Sequence, residues 1–316
     1  MMKCLIVQPV HADGLALLRE AGIEPVIAPR ADMETVSGLI GDCDAVIIRN
    51  AGLSAAVIRA GRQLKVIVVH GAGHDAVDKE AATDCGVLVC NTPGANARSV
   101  SELAFGLALA AARRIPAADR SVRSGRDDFR EQESFSELSG KTALIVGWGA
   151  TGAGLGLMLK SALDMRVLVY SPRVADVEGF ERVGTLHDGL READLVSLHT
   201  PLRPETHHLL NAAAFAAMKP GAILINTARA GLVDERALSD ALNRGLVSAA
   251  GLDVYSDEAP SGPLAQSGRV IFTPHLGGTT LEALKRVAVG AASNVLLALS
   301  GTRPATALNE PLKVEP

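Results

Sequence analysis

A glycine-rich turn lies between two short apolar runs near the middle of the chain. The first run covers 142–146, the segment Gly147-Trp148-Gly149-Ala150-Thr151-Gly152 follows it, and the second run covers 166–170 after a helical stretch. A strand, a G-x-G-x-x-G turn, a helix and a second strand form the pattern of a dinucleotide-binding unit. The motif alone is weak evidence, and its position between a strand and a helix is what favours a nucleotide site over an ordinary turn.

The glycines of this turn have separate predicted tasks. Gly147 permits the tight turn, Gly149 lets the backbone approach a pyrophosphate, and Gly152 lets the helix and the strand pack closely. Thr151 lies between them, in the first turn of the helix. The pyrophosphate is expected at the helix N-terminus, where free N–H groups and the helix dipole favour an anion.

The end of the second strand bears on which dinucleotide is bound. NAD-binding units have an Asp or Glu about twenty residues past the glycines, where it holds the ribose 2′-hydroxyl. This chain has Ser171 there, followed by Arg173. A hydroxyl and a guanidinium suit a 2′-phosphate better than a diol, so the sequence favours NADP(H). The alternative is that Arg173 is a solvated loop cation and that the protein uses NAD(H).

Polar residues also follow the carboxyl ends of four later predicted strands. They are Thr200, Arg229, Asp253 and His275. In an open parallel sheet the ligand crevice lies outside those ends. We therefore expect these residues, distant in sequence, to converge around a bound nucleotide.

The elements that position these residues alternate along the chain. Short apolar runs and helical stretches alternate over residues 3–90 and again beyond Pro172, which predicts α/β architecture with parallel sheets. The 316 residues suit two domains, and with 3% aromatic residues the cores must consist of Ala, Val, Leu and Ile. The polar stretch 120–140 is predicted to be a loop.

Composition argues against several other classes of protein. The formal charge of −4 without a basic block argues against a nucleic-acid partner. No apolar run is long enough to span a bilayer, and the N-terminus reads as a strand instead of a signal peptide. The four cysteines show no metal-binding or redox spacing, so we expect no metal site, and they suit a reducing cytoplasm.

Several motifs together resemble the D-isomer-specific 2-hydroxyacid dehydrogenases, which include phosphoglycerate dehydrogenases and glyoxylate/hydroxypyruvate reductases. The resemblance covers nearly the whole chain. Besides the glycine-rich turn, it is carried by HGAGHD at 70–75, NTP at 91–93, SVSE at 99–102, HTPL at 199–202, NTARAGLVDE at 226–235, GLDVY at 251–255, Glu258 and PHLGG at 274–278.

This resemblance implies a discontinuous domain organisation. A Rossmann nucleotide domain, about 97–283, is inserted into a flavodoxin-like substrate domain formed by about 1–96 and 284–316. Both domains are doubly wound parallel sheets, and members of the family are typically homodimers.

The resemblance also assigns the catalytic residues. Arg229 matches the arginine that binds the substrate carboxylate, a task suited to a bidentate guanidinium. His275 matches the general acid/base, and Glu258 the carboxylate that orients the imidazole. Each alone has an ordinary alternative, a solvated surface charge above all for Glu258, and only their occurrence together favours catalysis.

Further site residues follow by the same resemblance. The cofactor side is expected to include His199, Thr200, Pro201, Thr227, Ala228, Asp253, His275, Gly277 and Gly278. The substrate side is expected to include Arg49, Asn50, Gly71, Ala72 and Gly73, as well as Arg229 and His275. Successive N–H groups in the 71–73 turn would form an anion-binding nest.

The predicted function is hydride transfer between a nicotinamide cofactor and C2 of a small 2-hydroxy acid similar to phosphoglycerate, glycerate/hydroxypyruvate or glyoxylate. A formate or phosphite dehydrogenase-like enzyme of the same fold is one alternative. A nucleotide-sensing protein similar to the corepressors that resemble this family is another. The particular acid and the direction of the reaction stay open at this point.

Overall fold

The computed structural model describes residues 1–126, 128–177 and 179–311, and the chain forms two compact units. The smaller unit is Met1–Asn96 together with the segment that begins at Gly278, and the larger unit is Ala97–Gly277. The sequence placed the return to the first unit at residue 284, whereas the compact units divide earlier, at Gly278. The assignment of substrate to one unit and cofactor to the other stays a prediction.

The smaller unit is a parallel sheet with the strand order β2-β1-β3-β4-β5. Its strands are β1 (Lys3–Ile6), β2 (Glu24–Ile27), β3 (Ala45–Ile48), β4 (Val66–Val69) and β5 (Leu88–Cys90). Its helices are α1 (Ala12–Glu20), α2 (Met33–Ile40), α3 (Ala55–Ala60), α4 (Lys79–Asp84) and α13 (Leu281–Leu299). β3 and β4 are apolar and buried at every position because helices cover both faces of the sheet. This is the flavodoxin-like order that was predicted.

Helix α13 returns the chain to the smaller unit, where it packs closely against α1. A Cβ on Gly14 of α1 would stand 2.7 Å from the carbonyl oxygen of Ala288 in α13. The absence of a side chain at Gly14 therefore lets the two helix backbones approach each other. Ala291, Ala292 and Val295 of α13 complete the apolar cluster beneath the sheet.

The larger unit is a seven-stranded parallel sheet with the order β12-β11-β10-β9-β6-β7-β8. Its strands are β6 (Thr142–Val146), β7 (Arg166–Tyr170), β8 (Glu181–Arg182), β9 (Leu195–Leu198), β10 (Ala222–Asn226), β11 (Val247–Leu252) and β12 (Val270–Phe272). Its helices are α5 (Ala97–Ala112), α6 (Ile115–Arg123), α7 (Phe129–Gln132), α8 (Ala150–Leu163), α9 (Leu186–Glu192), α10 (Ala212–Ala217), α11 (Glu235–Asn243) and α12 (Pro263–Gln266). The strand order reverses at β6, so the crevice expected for a ligand lies between the carboxyl ends of β6 and β9.

Most described residues of 120–140 form the predicted loop, but the last turn of α6 extends into this stretch as far as Arg123, and the short helix α7 lies within it. Arg114 takes a left-handed conformation, with φ of +53°, which ends α5, and the next helix begins at once. Pro116 lies in the first turn of α6, where its missing N–H costs nothing. Helix α6 has only nine residues, and Ile115 and Val122 are its only large apolar side chains, so its apolar pattern is short.

Candidate active site

The three glycines of the turn between β6 and α8 occupy different environments. Gly147 has φ of +99°, and a Cβ there would stand 2.6 Å from the carbonyl oxygen of His199. A Cβ on Gly152 would stand 2.1 Å from the carbonyl oxygen of Gly147. A Cβ on Gly149, the N-cap of α8, would meet no heavy atom of the described residues within 4 Å. Two glycines thus serve packing, and the third leaves the helix N-terminus open to an anionic group such as a pyrophosphate.

The loop after β7 carries the two residues predicted to read the ribose. Ser171 is buried, whereas Arg173 is exposed and donates from Nη2 to Oε1 of Glu205 at 2.9 Å. Glu205 belongs to the short 3₁₀ turn Pro204–Thr206, which follows β9. The residue predicted to bind a phosphate is therefore paired with a carboxylate from another loop of the same sheet edge.

An aromatic contact joins the glycine-rich turn to the residues after β7. Trp148 meets Phe180 edge-on, with 4.8 Å between ring centroids. The Lys160 ammonium, from α8, lies 5.0 Å from the Phe180 centroid, which suits a cation–π contact. Trp148 is the only tryptophan of the chain, so its fluorescence reports on this turn.

His199 follows β9 and lies behind the glycine-rich turn. Its Nε2 is 2.8 Å from the Ser197 hydroxyl, and its buried Nδ1 has no hydrogen-bond partner among the described residues. Burial lowers the pKa of His199 to about 4, so the ring is neutral at neutral pH. The Thr206 hydroxyl donates to the Pro201 carbonyl at 2.8 Å and so shapes the segment that contains Thr200 and Pro201.

The turn after β10 presents Arg229. The buried Asn226 side chain closes this turn, because its amide donates to the Arg229 carbonyl at 2.8 Å and its oxygen accepts from the Ala228 N–H at 3.0 Å. The Arg229 guanidinium donates to the Ala228 carbonyl at 2.7 Å. The Thr227 hydroxyl is buried and has no hydrogen-bond partner within the described part of the chain. An unsatisfied hydroxyl at a predicted cofactor position is consistent with a polar ligand there.

Asp253 follows β11 and holds the loop that carries His275. Its carboxylate is 1% exposed and accepts three hydrogen bonds, from the Thr273 hydroxyl at 2.5 Å, the Leu276 N–H at 2.7 Å and the Gly277 N–H at 2.9 Å. His275 takes a left-handed conformation with φ of +55°, a strained state for a residue with a Cβ. The Asp253 carboxylate thus binds residues on both sides of His275 in the sequence, which holds the loop that carries it. Gly278, the last predicted cofactor residue, begins the returning segment of the smaller unit.

Glu258 lies in the loop after β11, and a second carboxylate anchors that loop. The two oxygens of Glu235 accept from the Ser256 N–H at 2.7 Å and from its hydroxyl at 2.5 Å. The side chains of Glu258 and His275 are both exposed. No hydrogen bond or ion pair joins them among the described residues, so the orienting role of Glu258 stays a prediction.

In the smaller unit, Arg49 and Asn50 follow β3 in a turn held by Gln8. The Gln8 side-chain oxygen accepts from the N–H groups of Arg49 and Ala51 at 3.2 and 3.1 Å, and its amide donates to Asn50 at 2.6 Å. The Arg49 guanidinium donates to the Pro9 carbonyl at 3.1 Å. Gln8 therefore sets where this predicted substrate cation stands.

The 71–73 turn follows β4 and has two other supports. The Gly71 N–H donates to the Thr92 hydroxyl at 2.9 Å, and the Asn91 amide donates to the Ala72 carbonyl at 2.8 Å. Because the Gly71 N–H is engaged in this way, the predicted nest depends on the N–H groups of Ala72 and Gly73.

His70 lies directly before this turn and is 8% exposed. Its Nε2 is buried with no hydrogen-bond partner among the residues described. Burial, and secondly the charge of Arg49, lower the pKa of His70 to about 4. His70 is therefore a neutral, buried imidazole beside the predicted anion site.

In the larger unit, the predicted cofactor and catalytic residues, as far as Gly277, lie at one edge of the sheet. In the smaller unit, the predicted substrate residues lie at the carboxyl ends of β3 and β4. Sequence reasoning missed the residues that support them. These are Gln8, Asn226, Glu235 and Thr273. Asn226 and Glu235 are the first and last residues of the 226–235 motif, so the motif could have indicated them. Gln8 lies in no local sequence pattern that would have indicated its role.

The structure also bears on membranes and metals. Within the described ranges, no helix is long and apolar enough to cross a membrane. The same residues contain no group of three or more His, Cys, Asp or Glu side chains placed to hold a metal ion.

Comparison with known proteins identifies the family. The sequence model of the D-isomer specific 2-hydroxyacid dehydrogenase NAD binding domain matches residues 105–277. A D-3-phosphoglycerate dehydrogenase of Methanocaldococcus jannaschii is 38% identical over 98% of this chain, and the match covers 60% of that relative. A hydroxypyruvate reductase of Thermotoga maritima is 35% identical over 89% of this chain and 93% of its own length. This chain therefore spans only part of some curated relatives and nearly all of others.

Solved structures show the same fold. The D-lactate dehydrogenase of Escherichia coli superposes with a TM-score of 0.85 at 30% identity, and the match covers 98% of this chain and 100% of that one.

Proposed function

Because this chain belongs to the D-isomer-specific 2-hydroxyacid dehydrogenases, we propose that it interconverts a small 2-keto acid and the D-2-hydroxy acid with a nicotinamide cofactor. The observation that carries the proposal is the hydrogen bonding of Asp253, which fixes the His275 loop at the sheet edge that also holds the glycine-rich turn and Arg229. A nucleotide turn, a guanidinium and an imidazole are the groups that this reaction requires.

The residues around the glycine-rich turn fit a dinucleotide. The N-terminus of α8 behind Gly149 suits the pyrophosphate, and the unsatisfied Thr227 hydroxyl suits a polar group of the cofactor. When bound, the nicotinamide supplies or takes the hydride at C2 of the acid. The chain then has to hold the acid and move one proton.

Arg229 would hold the substrate carboxylate. Its guanidinium binds a carboxylate through two parallel N–H donors, which fixes both distance and orientation. The Asn226 hydrogen bonds on either side of it keep the backbone of this turn rigid. A fixed carboxylate places C2 and its oxygen in one orientation, so hydride reaches one face.

His275 would exchange the proton on the C2 oxygen. In the reducing direction the imidazolium donates to the developing alkoxide, and in the oxidising direction the neutral imidazole accepts the hydroxyl proton. Glu258 would hydrogen-bond the other ring nitrogen and stabilise the protonated ring. The Asp253 carboxylate keeps the backbone of the loop in place during both steps.

We further propose NADP(H) as the preferred cofactor, a homodimer as the assembly and the cytoplasm as the location. Ser171 and Arg173 follow β7 and would read a 2′-phosphate, since no carboxylate stands at the end of β7 to hold a ribose diol. Ile115 and Val122 are 54% and 78% exposed beside an open groove of about 530 Å³ on α6, which suits burial by a second copy. The cysteines are free, as expected in a reducing compartment.

The decisive experiment is loss of reduced-nicotinamide absorbance with NADPH and NADH in parallel. The acids are glyoxylate, hydroxypyruvate, phosphohydroxypyruvate and sulfopyruvate. Hydroxypyruvate and phosphohydroxypyruvate are included because relatives are named for hydroxypyruvate and phosphoglycerate chemistry. Turnover of one acid supports the dehydrogenase and identifies its substrate class. Tight cofactor binding without turnover of any acid would instead favour a nucleotide-sensing protein.

A further inference from the structure

We propose that Glu205 is a specificity-determining residue of the cofactor site, which competes with the 2′-phosphate of NADP(H) for Arg173. The inference rests on the proposed function, since it requires a dinucleotide at the glycine-rich turn. It differs from that proposal in assigning Glu205 the opposite effect to Arg173. Glu205 weakens NADP(H) binding and leaves NAD(H) binding nearly unchanged.

The topology places Glu205 at the adenosine end of the predicted site. Strands β7 and β9 flank β6 on its two sides, so the loops after them rise on either side of the glycine-rich turn. Arg173 belongs to the first loop and Glu205 to the second, and their 2.9 Å ion pair joins the two loops. A 2′-phosphate on the ribose would be read near this point, because the second strand of a dinucleotide-binding unit ends there.

The Glu205 carboxylate and the 2′-phosphate of NADP(H) are both anions, and they compete for the same cation, Arg173. Glu205 accepts from one donor of Arg173, Nη2, and a phosphate that binds the other donors of this guanidinium would come close to the Glu205 carboxylate. NADP(H) must therefore displace the Glu205 carboxylate or bind beside it with like-charge repulsion. NAD(H) has a ribose diol at this position and leaves the ion pair intact.

Solvent limits the size of the effect. The side chains of Arg173 and Glu205 are 60% and 58% exposed, and exposed pairs contribute little to stability. The effect of this ion pair on NADPH affinity should be correspondingly modest. Removal of the Glu205 charge should tighten NADPH binding by about three- to tenfold. An ion pair that is merely solvated surface structure would leave the NADPH dissociation constant unchanged.

The test measures dissociation constants for NADPH and NADH through quenching of Trp148 fluorescence, repeated by titration calorimetry. The variants are the wild type, Glu205→Gln, Arg173→Ala and the double variant. Glu192→Gln is the matched control, because Glu192 also pairs with an arginine, Arg166, at the opposite end of β7. It removes the same charge from the same unit away from the site.

The expected result is tighter NADPH binding for Glu205→Gln alone, with NADH affinity unchanged for Glu205→Gln and Glu192→Gln. The gain should disappear in the Arg173→Ala background and at about 0.5 M KCl, where exposed charges are screened. An unchanged NADPH constant for Glu205→Gln, or an equal gain in the Arg173→Ala background, would overturn the role of Glu205 while the proposed function stands. Absence of binding of either nucleotide to the wild type would overturn the proposed function itself.

Discussion

Asp253 accepts a hydrogen bond of 2.9 Å from the N–H of Gly277, two residues after the predicted acid/base His275. The other Asp253 oxygen binds the Leu276 N–H and the Thr273 hydroxyl. Both carboxylate oxygens are thus engaged in the backbone and side chain of this loop. Asp253 was predicted to contact the nicotinamide, and the structure gives it a supporting task that does not depend on that contact.

Asp253→Asn should lower kcat by about 100-fold and leave the dissociation constant of the cofactor nearly unchanged. The amide keeps the shape of the carboxylate but replaces one acceptor with a donor, which then faces either the Leu276 N–H or the Gly277 N–H. If the loop moves, His275 moves with it, and a displacement of a catalytic group by about 1 Å can lower the rate about 100-fold. Stopped-flow and steady-state kinetics measure the change. Thr273→Val, which removes only the hydroxyl, is the control and should cost less; a cofactor constant that rises as much as kcat falls would instead support the nicotinamide contact.

Replacement of Arg229 by Lys should raise the KM for the acid by about tenfold to 100-fold while the cofactor constant stays the same. Lysine keeps the charge but loses the paired donors that orient a carboxylate. Arg236→Lys is the control, because Arg236 is an exposed residue of α11. Equal loss of acid and cofactor binding in Arg229→Lys would contradict a carboxylate clamp.

The role of Glu258 can be tested against its neighbour. Glu258→Gln should lower turnover by about tenfold or more and, for oxidation of the hydroxy acid, move the acidic limb of the pH–rate profile to lower pH, because the protonated imidazole loses its stabilising carboxylate. Asp257→Asn removes an adjacent exposed charge and should leave the profile in place. If the two variants behave alike, Glu258 has only the general electrostatic effect of an exposed acid.

Much of this site could be predicted because its signals are local. The spacing of the glycines in 147–152 predicts the turn between strand and helix, and polar residues after apolar strands indicate the carboxyl edge of a parallel sheet. Asn226, Glu235 and Gln8 could not be assigned their roles in this way, since each acts on atoms set by the tertiary fold. The same applies to the Arg173–Glu205 pair, whose partners lie 32 positions apart on two loops.

The helical residues at the start of the predicted loop over 120–140 were missed for a related reason. Helix α6 has Pro116 as its second residue and only two large apolar side chains, Ile115 and Val122, so its composition is typical of a loop. The signals that ended α5 and started α6 are the left-handed Arg114 and the position of Pro116, and only the second is visible in the sequence.

Two glycines of the turn should respond differently to an added methyl group. Gly149→Ala should fold with an unchanged melting temperature and bind the cofactor at least about tenfold more weakly, because its Cβ points into space that a pyrophosphate would use. Gly147→Ala should be destabilised by about 1–3 kcal/mol, because its Cβ meets the His199 carbonyl and its φ is left-handed. Thermal unfolding and Trp148 fluorescence separate the two effects. Unchanged cofactor binding in Gly149→Ala would remove the pyrophosphate from this helix terminus.

The lowered pKa of His70 predicts how the stability of the protein depends on pH. Its pKa is about 4 in the folded protein and has the ordinary value of 6.5 in the unfolded chain. Between these two values the unfolded chain binds the extra proton, so His70 lowers the free energy of unfolding as the pH falls through this window. The slope that one such group contributes is at most about 1.4 kcal/mol per pH unit.

His70→Gln should therefore flatten the dependence of unfolding free energy on pH between about 6.5 and 4. Urea titrations at several pH values give the slope, and His187→Gln, at an exposed histidine of α9, is the control that should leave it unchanged. His199 has its pKa lowered in the same direction, so the single variant removes part of the slope and a His70→Gln/His199→Gln variant removes more. A His70→Gln slope equal to that of the wild type would show that the buried ring gains a proton without cost, and that the free Nε2 finds a partner when protonated.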